Sequence, residues 1–374
     1  MKKIVSLIIV VVLCITIAAG CQKSDSTGSS DTKTAGEDQE NTEVPAEPEM
    51  QSVSDATEDA AETADGGTKE AATAEKKEIK VAALKGPTAM GMVKIMEAAE
   101  EGTAADKYQF TIAGAPDEIT AGIISGDYDI AAIPCNLAAV LYNKSKGGLK
   151  VAGINTLGVL YVVETGDKIN SVADLKGKTI YSTGKGTTPE YTLNYLLSAS
   201  GIDTAKDVTI EYKSEATEVA AVLSQAEDAI AVLPQPYVTT VMMNNQNVRI
   251  ALDITKEWEK LNTNKSTVVT GVIVVNTNFL ENNKAAVDTF LSQYESSVQY
   301  VNGNNKEAAV LIEKFDIFKA VPAEKALPYC NITSIQGDDM KAKVSGYLET
   351  LYGQNPDTVG GAMPDDSFYY ISQP

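Results

Sequence analysis

Hydrophobic positions follow two alternating patterns from residue 79 onward. Short apolar segments with the composition of buried strands alternate with segments that carry apolar residues at helical spacing. One such segment is a predicted continuous helix over residues 89–101, with Ala89, Met92, Val93 and Met96 at helical spacing. This β-α-β-α-β order predicts parallel sheets with right-handed crossovers, and therefore an α/β fold. The predicted strands cover residues 79–84, 108–113, 129–133, 151–164 (one or two strands), 178–183, 208–213, 229–233, 248–254 and 268–276.

The C-terminal part of the chain is predicted to be mostly helical. Aromatic residues close to the end of the chain, at 368–370, indicate a docked tail rather than a frayed one. The predicted helices cover residues 279–302, 306–315, 323–327 and 339–352.

The segment from residue 81 to residue 134 has a near copy one hundred residues later. Lys85-Gly86-Pro87-Thr88 corresponds to Lys185-Gly186-Thr187-Thr188, and residues 129–134 correspond to 229–234. A fixed offset between similar segments indicates two copies of one structural unit. We therefore expect two similar α/β lobes that face each other. Each would present a glycine turn at a helix N-terminus, and a strand end containing proline, to a shared ligand cleft.

The order of the predicted elements also suggests domain limits. Lobe 1 is expected to comprise residues 78–158 together with 270–374, and lobe 2 residues 159–269. Two hinge strands would join the lobes, and Gly158 would allow a close approach of the backbone at the first crossing.

The first 21 residues have the layout of a secretory signal. Lys2 and Lys3 precede a short apolar segment, which ends in small residues and then Cys21. A cysteine at this place resembles a bacterial lipoprotein signal, which implies removal of residues 1–20, lipid attachment to Cys21 and a location on the outer face of the cell membrane. A plain signal peptide with an incidental cysteine is the alternative.

Composition makes residues 21–77 a predicted tether. They are rich in Ser, Thr, Ala, Asp and Glu, so they cannot bury enough apolar surface to offset their chain entropy. We therefore expect residues 21–77 to form a disordered acidic spacer. The chain as a whole carries a formal charge of −20, and an acidic protein is a poor partner for nucleic acid.

Several residue types that enzymes and metal sites depend on are scarce. The sequence has no histidine, which removes the commonest metal ligand and the commonest general base at neutral pH. We therefore predict no catalytic residue, no metal and no cofactor. Arg249 is the one arginine, so a guanidinium clamp on an anion has a single candidate. Cys135 and Cys330 could form a disulfide outside the cell, but sequence does not show whether they are close enough.

The glycine turn of lobe 1 supplies the first candidate ligand contacts: Lys85, Gly86, Pro87 and Thr88. The unpaired N–H groups of the helix that follows would point beyond the strand end and could meet a ligand acceptor. The alternative is that Thr88 only caps its own helix. Cys135 and Asn136 follow a predicted strand end, where open α/β sheets bind ligands, although Asn136 could equally be an N-cap.

Lobe 2 supplies the corresponding candidates Lys185, Gly186, Thr187 and Thr188, with Gln235 opposite Cys135. Thr188 before Pro189 fits an N-cap with proline at the first helical position, whereas Thr187 would form a capping box with Glu190. Two further candidates, Tyr191 and Tyr195, could stack on a planar ligand or belong to the core.

Residues 171–180 (SVADLKGKTI) and 184–190 (GKGTTPE) carry a family resemblance. With the lipoprotein signal, the acidic tether and the two lobes, they resemble substrate-binding lipoproteins of ABC importers, in the branch for nitrate, sulfonate, taurine and thiamine-pyrimidine precursors. The resemblance covers about residues 80–370. It implies a periplasmic-binding-protein-like type II fold, with ligand contacts from residues 85–88, 134–136, 185–188 and 234–235.

These features favour an extracytoplasmic binding protein over two other classes. A monomer would capture a small polar or anionic solute, since Lys85, Lys185 and two helix N-termini favour acceptors, and would pass it to ABC permease subunits. An enzyme of the same fold is one alternative, with Glu118 and Glu190 as its candidate carboxylates. A sensor lipoprotein is the other, and sequence does not separate it from a transport protein. The identity of the solute is left open.

Overall fold

The structure is a computed structural model that describes residues 76–261 and 266–372. The predicted signal peptide, the predicted lipidation site Cys21 and all but the last two residues of the predicted tether lie outside the described residues. Within the described part, no helix combines the length and the apolar character needed to cross a bilayer.

Eleven strands are present in the described residues, and all nine segments predicted as strands contain one or two of them. The strands are β1 Glu78–Leu84, β2 Lys107–Ala113, β3 Ile130–Pro134, β4 Leu149–Leu157, β5 Leu160–Thr165, β6 Thr179–Ser182, β7 Thr209–Tyr212, β8 Ile230–Pro234, β9 Val248–Asp253, β10 Val269–Asn276 and β11 Ile332–Ile335.

Thirteen α-helices lie between and after these strands in the described residues, together with four short 3-10 helices. The α-helices are α1 Pro87–Met90, α2 Val93–Glu100, α3 Asp117–Ser125, α4 Cys135–Ser145, α5 Thr188–Ala199, α6 Ala216–Gln225, α7 Tyr237–Asn244, α8 Ile254–Leu261, α9 Thr277–Asn282, α10 Lys284–Gly303, α11 Asn305–Lys314, α12 Ala320–Ala326 and α13 Gly337–Gln354.

The strands form two sheets with closely related topology. The first sheet has the order β11-β4-β10-β3-β1-β2, and the second has the order β7-β6-β8-β5-β9. In the first sheet β2, β1 and β3 are parallel and β10 is antiparallel to β3. In the second sheet β7, β6 and β8 are parallel and β5 is antiparallel to β8. The repeated sequence therefore corresponds to a repeated parallel unit, which confirms the α/β fold class.

Side chains that alternate along the central strands fill a core on each face of each sheet. In β1, Val81 and Ala83 belong to one hydrophobic cluster, whereas Ala82 and Leu84 belong to another. Two further clusters lie on the two faces of the second sheet. Strands buried on both faces need continuous apolar sequence, which explains why the parallel strands were visible in the hydrophobic pattern.

The chain passes from the first sheet to the second between β4 and β5, at Gly158 and Val159. A Cβ added to Gly158 would lie 1.8 Å from Thr255 Oγ1, so only glycine fits beside the start of α8. The Gly158 carbonyl also accepts a hydrogen bond from Asn331 Nδ2 at 2.5 Å. Strand β10 places the chain back in the first sheet. The limits of the two lobes remain a prediction.

Two helices that the sequence predicted as continuous are each broken. The first breaks at Gly91 and Met92, between α1 and α2. A Cβ at Gly91 would lie 2.7 Å from Tyr294 Oη, so the close approach of α10 selects glycine there. The second breaks at Asn283, between α9 and α10.

The C-terminal tail docks on the first sheet, as the aromatic pattern predicted. Phe368, Tyr369 and Tyr370 are buried. The Tyr370 backbone N–H donates to the Val151 carbonyl at 2.8 Å, and the Tyr370 hydroxyl donates to Asp288 at 2.7 Å. The tail is therefore held by backbone and side-chain hydrogen bonds as well as by apolar burial.

Candidate functional site

The carboxyl ends of β3 and β8 open onto one cavity of about 550 Å³ that lies between the two sheets. Its walls come from the start of α4, the start of α5, the first crossing and a C-terminal 3-10 helix. The lining residues are Pro116, Pro134, Asn136, Leu137, Val140, Val159, Leu160, Gly184, Gly186, Thr187, Thr188, Pro189, Tyr191, Pro234, Thr270, Asp357 and Thr358. Six of the residues predicted to contact ligand are among them, together with the stacking candidate Tyr191: Pro134, Asn136, Gly186, Thr187, Thr188 and Pro234.

A hydrogen bond between Asn136 and Thr188 joins the two sheets at this cavity. Thr188 is the first residue of α5, and its hydroxyl donates to Asn136 Oδ1 at 2.8 Å. Asn136 Nδ2 in turn donates to the Thr358 carbonyl at 3.4 Å. Asn136 is 9% exposed and Thr188 is 5% exposed. The amide thus uses its donor and its acceptor together, linking α4, α5 and the C-terminal segment.

The turn before α5 is built by glycine and by a carboxylate. Gly184 and Gly186 have φ of 71° and 78°, values that favour glycine. The Thr187 hydroxyl donates to the Gly184 carbonyl at 2.6 Å, and the Glu190 carboxylate accepts from the Gly186 backbone N–H. Thr187 is the N-cap residue of α5, as one of the two alternatives predicted, but its side chain makes no cap hydrogen bond and Glu190 does not complete a capping box. Thr188 is the first residue of the helix, so its predicted N-cap role is wrong. Their hydroxyls donate to other acceptors instead.

The corresponding turn of the first copy faces a different part of the molecule. Gly86, with φ of 103°, takes the N-cap position of α1, and the Thr88 hydroxyl donates to the Leu84 carbonyl at 2.8 Å. Thr88 therefore does not cap α1, so the alternative stated from sequence for Thr88 is wrong. Lys85 forms an ion pair with Asp316 at 2.6 Å. Residues 85–88 are not among those that line the cavity.

Cys135 and Gln235 occupy equivalent positions in the repeat but do not face each other across the cavity. Cys135 is fully buried in a cluster on one face of the first sheet. Gln235 is 1% exposed, and its Oε1 accepts from the Thr239 N–H and hydroxyl. Gln235 instead lines a separate cavity of about 480 Å³ with Lys325 and Tyr329.

The other predicted residues and candidate pairings have clear positions. Gly158 lies in the crossing beside the cavity, Lys185 is exposed at the turn, and Asn136 is the second residue of α4 rather than its N-cap.

Cys135 and Cys330 are both free and buried, in clusters on opposite faces of the first sheet, so the possible disulfide is absent. Burial raises the pKa of both thiols, for Cys330 to about 12.

The two candidate tyrosines have different surroundings. Tyr191 lines the cavity, and its phenol pKa is raised by burial first and then by Glu190 and Asp357. Tyr195 stacks on Trp258, with ring centroids 4.1 Å apart, so it belongs to the core between α5 and α8. Only Tyr191 is placed to meet a ligand in this cavity.

Sequence reasoning missed several residues of the cavity wall. Val159 and Thr270 lie on the two crossings, and their position could have been inferred from the predicted hinge strands. Asp357 and Thr358 come from a 3-10 helix after α13, where no local pattern marked them. Arg249, the one arginine, lies elsewhere on β9, paired with Glu164 and donating to the carbonyls of two loop residues.

Comparisons with known proteins agree with this architecture. Residues 140–308 match the family model described as NMT1/THI5 like. An ABC transporter protein from Parabacteroides distasonis has a similar structure, with a TM-score of 0.66 and 26% identity, over 80% of this chain and 100% of that chain. A comparison with curated proteins found no match.

Two further structures share the fold at lower identity. The periplasmic aliphatic sulphonate binding protein SsuA from Escherichia coli has a TM-score of 0.64 and 16% identity, over 80% of this chain and 94% of that chain. The periplasmic nitrate-binding protein NrtA from Synechocystis PCC 6803 has a TM-score of 0.54 and 13% identity, over 76% and 84%. The chain therefore carries an NMT1/THI5-like domain at residues 140–308 and has the fold of ABC-transporter substrate-binding proteins, which confirms the resemblance found in the sequence.

Proposed function

We propose that this protein captures a small solute in the cavity between its two sheets and delivers it to an ABC importer. The observation that carries the proposal is the Asn136–Thr188 hydrogen bond, which joins the two sheets beside a cavity of about 550 Å³. A bound solute would add contacts to both walls and so favour the state in which the sheets are joined.

The crossings support a hinge motion. The first crossing, at Gly158 and Val159, is two residues long, and β10 leads directly back into the first sheet. Both Val159 and Thr270 line the cavity, so a rotation about the crossings would open and close it. Substrate-binding proteins of transporters use such closure around a ligand, and the similarity to the Parabacteroides distasonis protein favours the same use here.

The proposal includes a location and a partner. The signal at the N-terminus of the sequence would place the protein outside the cytoplasm, held to the membrane by lipid on Cys21. A monomer with its solute enclosed would then dock on permease subunits. Release of the solute unchanged is part of this proposal and separates it from an enzyme of the same fold.

Native mass spectrometry of the full chain, purified without denaturation, is the direct test. We expect one copy of a small molecule per protein, lost on unfolding and returned on refolding with an extract of the producing cells. A bound molecule that is released with a changed mass would identify an enzyme instead. A protein that stays empty, and whose thermal stability no extract changes, would contradict solute capture, because saturating ligand stabilises the folded state.

A further inference from the structure

The charge of the cavity wall restricts what the cavity can hold. Of the described residues that line it, one carries a carboxylate, Asp357, and none is a lysine or an arginine. Among the ion pairs of the described residues, none includes Asp357. An anion in the cavity would therefore meet a negative charge and no neutralising side chain.

The cations that the sequence analysis considered as contacts for an anion are engaged elsewhere or exposed. Lys85 is paired with Asp316, and Lys185 is exposed beside the turn. Arg249 pairs with Glu164, a carboxylate that is 2% exposed, and also donates to the Ile169 carbonyl at 2.7 Å. Releasing Arg249 would leave a buried carboxylate without its counter-ion, which is strongly unfavourable.

The N-terminus of α5, which lies at the cavity, already has a negatively charged side chain beside it, that of Glu190. The start of α5 would attract an anion through its unpaired N–H groups and helix dipole. The Glu190 carboxylate, however, bends back to accept from the Gly186 N–H at this end of the helix. The protein's own acid thus already lies in the first turn of this helix, where its negative charge would oppose an oxyanion.

The rest of the wall is apolar, with isolated polar atoms. Eight of the seventeen lining residues are prolines, valines or leucines. The Thr270 hydroxyl on β10 is buried and has no hydrogen-bond partner in the described part of the chain, so a ligand atom could satisfy it. Tyr191 adds an aromatic ring that keeps its phenol proton.

We propose that the cavity takes an uncharged or cationic solute with a largely apolar body, rather than an oxyanion. The inference rests on the proposed function and names the solute class for the same site. The apolar walls would hold the body, Thr270 would meet one polar group, and Asp357 would face a neutral or positive group. This excludes the anionic half of the expectation from sequence, which was a polar or anionic solute, because Lys85 and Lys185 do not line the cavity.

Three probes of nearly equal shape test the charge preference: benzoate, benzamide and benzamidinium. Dissociation constants are measured on the full chain by titration calorimetry. We expect benzamidinium to bind about tenfold more tightly than benzoate, with benzamide between them, since one unit charge near an exposed carboxylate is worth about that much. Asp357→Asn should reduce the ratio several-fold, because it removes the carboxylate charge that attracts benzamidinium and repels benzoate. Asp338→Asn, at an exposed acid on α13 outside the cavity, is the matched control and should leave all three values unchanged.

The outcomes separate this inference from the proposed function. Tighter binding of benzoate, equal binding of all three probes, or a ratio that Asp357→Asn leaves unchanged would overturn the solute class. Failure of all three probes to bind at millimolar concentration would also overturn it. In each of these cases, a small molecule retained in native mass spectrometry would leave the proposed function standing, whereas an empty protein would contradict both.

Discussion

Removing the Thr188 hydroxyl should show how strongly the two sheets are held together at the cavity. Thr188→Val keeps the branched shape but removes the donor to Asn136 Oδ1, at 2.8 Å. A net hydrogen bond contributes about 1 kcal/mol, and leaving a buried acceptor unsatisfied costs about 1–3 kcal/mol. Because both residues are at most 9% exposed, we expect the free energy of unfolding to fall by about 1–3 kcal/mol.

A double-mutant cycle separates this bond from other effects of the substitution. Asn136→Leu removes the partner, and the double variant replaces both polar groups with apolar ones, which leaves no unsatisfied atom between them. We expect a coupling energy of about 1–2 kcal/mol. Urea unfolding is followed by the fluorescence of Trp258, the one tryptophan of the chain, which packs between Tyr195 and Tyr347.

The neighbouring threonine provides the control for this cycle. Thr187→Val makes the same chemical change one residue earlier, but the Thr187 hydroxyl donates to Gly184 within its own turn. Its coupling to Asn136→Leu should be within about 0.5 kcal/mol of zero. A coupling for Thr188 no larger than that for Thr187 would refute the view that the buried bond joins the two sheets.

Three other perturbations test the surroundings of the cavity. Gly158→Ala should destabilise the protein by about 1–3 kcal/mol in urea unfolding, because the added methyl overlaps the start of α8. Arg249→Met should lower the free energy of unfolding by about 2–3 kcal/mol in the same assay, because Glu164 loses its counter-ion. The effect is smaller than for a fully buried pair, since Arg249 is one-third exposed. Iodoacetamide at pH 8 without reductant should leave Cys135 and Cys330 unlabelled in the native protein, since their raised pKa values keep them as thiols, and label both in denaturant, as peptide mass spectrometry would show.

Each of these perturbations has a matched control. Gly303→Ala, at the end of α10 with no atom within 4 Å of the added methyl, should not destabilise, and equal stability of the two alanine variants would contradict the packing at the crossing. Lys206→Met, which breaks an exposed ion pair with Asp203, should have little effect, and an equal effect of Arg249→Met would contradict a buried role for the Glu164 carboxylate. Failure of iodoacetamide to label the two cysteines in denaturant would show that they are oxidised.

Most of the secondary structure and the internal repeat were predictable from the sequence, because they depend on residues that are close together in the chain. Strands buried on both faces have continuous apolar sequence, and glycine and proline mark the turns at 85–88 and 185–188. The predicted helices were less accurate, as at Gly91, where the helix breaks and the Tyr294 hydroxyl of α10 leaves room only for glycine. No local pattern could show that contact.

The candidate site was only partly predictable for the same reason. Asn136 was selected because it follows the carboxyl end of a parallel strand, and Thr188 because it corresponds to Thr88 in the repeat. The structure brings the two side chains together at 2.8 Å. Asp357 reaches the cavity from a segment more than two hundred residues beyond Asn136, so its role depends on tertiary packing. The predicted side-chain caps are absent because the threonine hydroxyls donate elsewhere. Thr88 and Thr187 donate to carbonyls four and three residues earlier, and Thr188 donates to an acceptor 52 residues away.

The repeat explains why half of the predicted site lies elsewhere. The cavity lies where the turn after β3 in the first copy meets the turn after β6 in the second. Because the two units are copies of each other, a second seam, meaning a place where two such turns meet, is expected between the turn after β8 and the turn after β1. At that second seam Lys85 is paired with Asp316, Gln235 lies beside Tyr329, and the Tyr161 hydroxyl donates to the Tyr329 carbonyl at 3.1 Å. The C-terminal segment around residues 316–329, which has no counterpart in the second copy, thus covers one seam. Two equivalent turns therefore have different surroundings, and the proposed solute site lies at the seam that this segment leaves open.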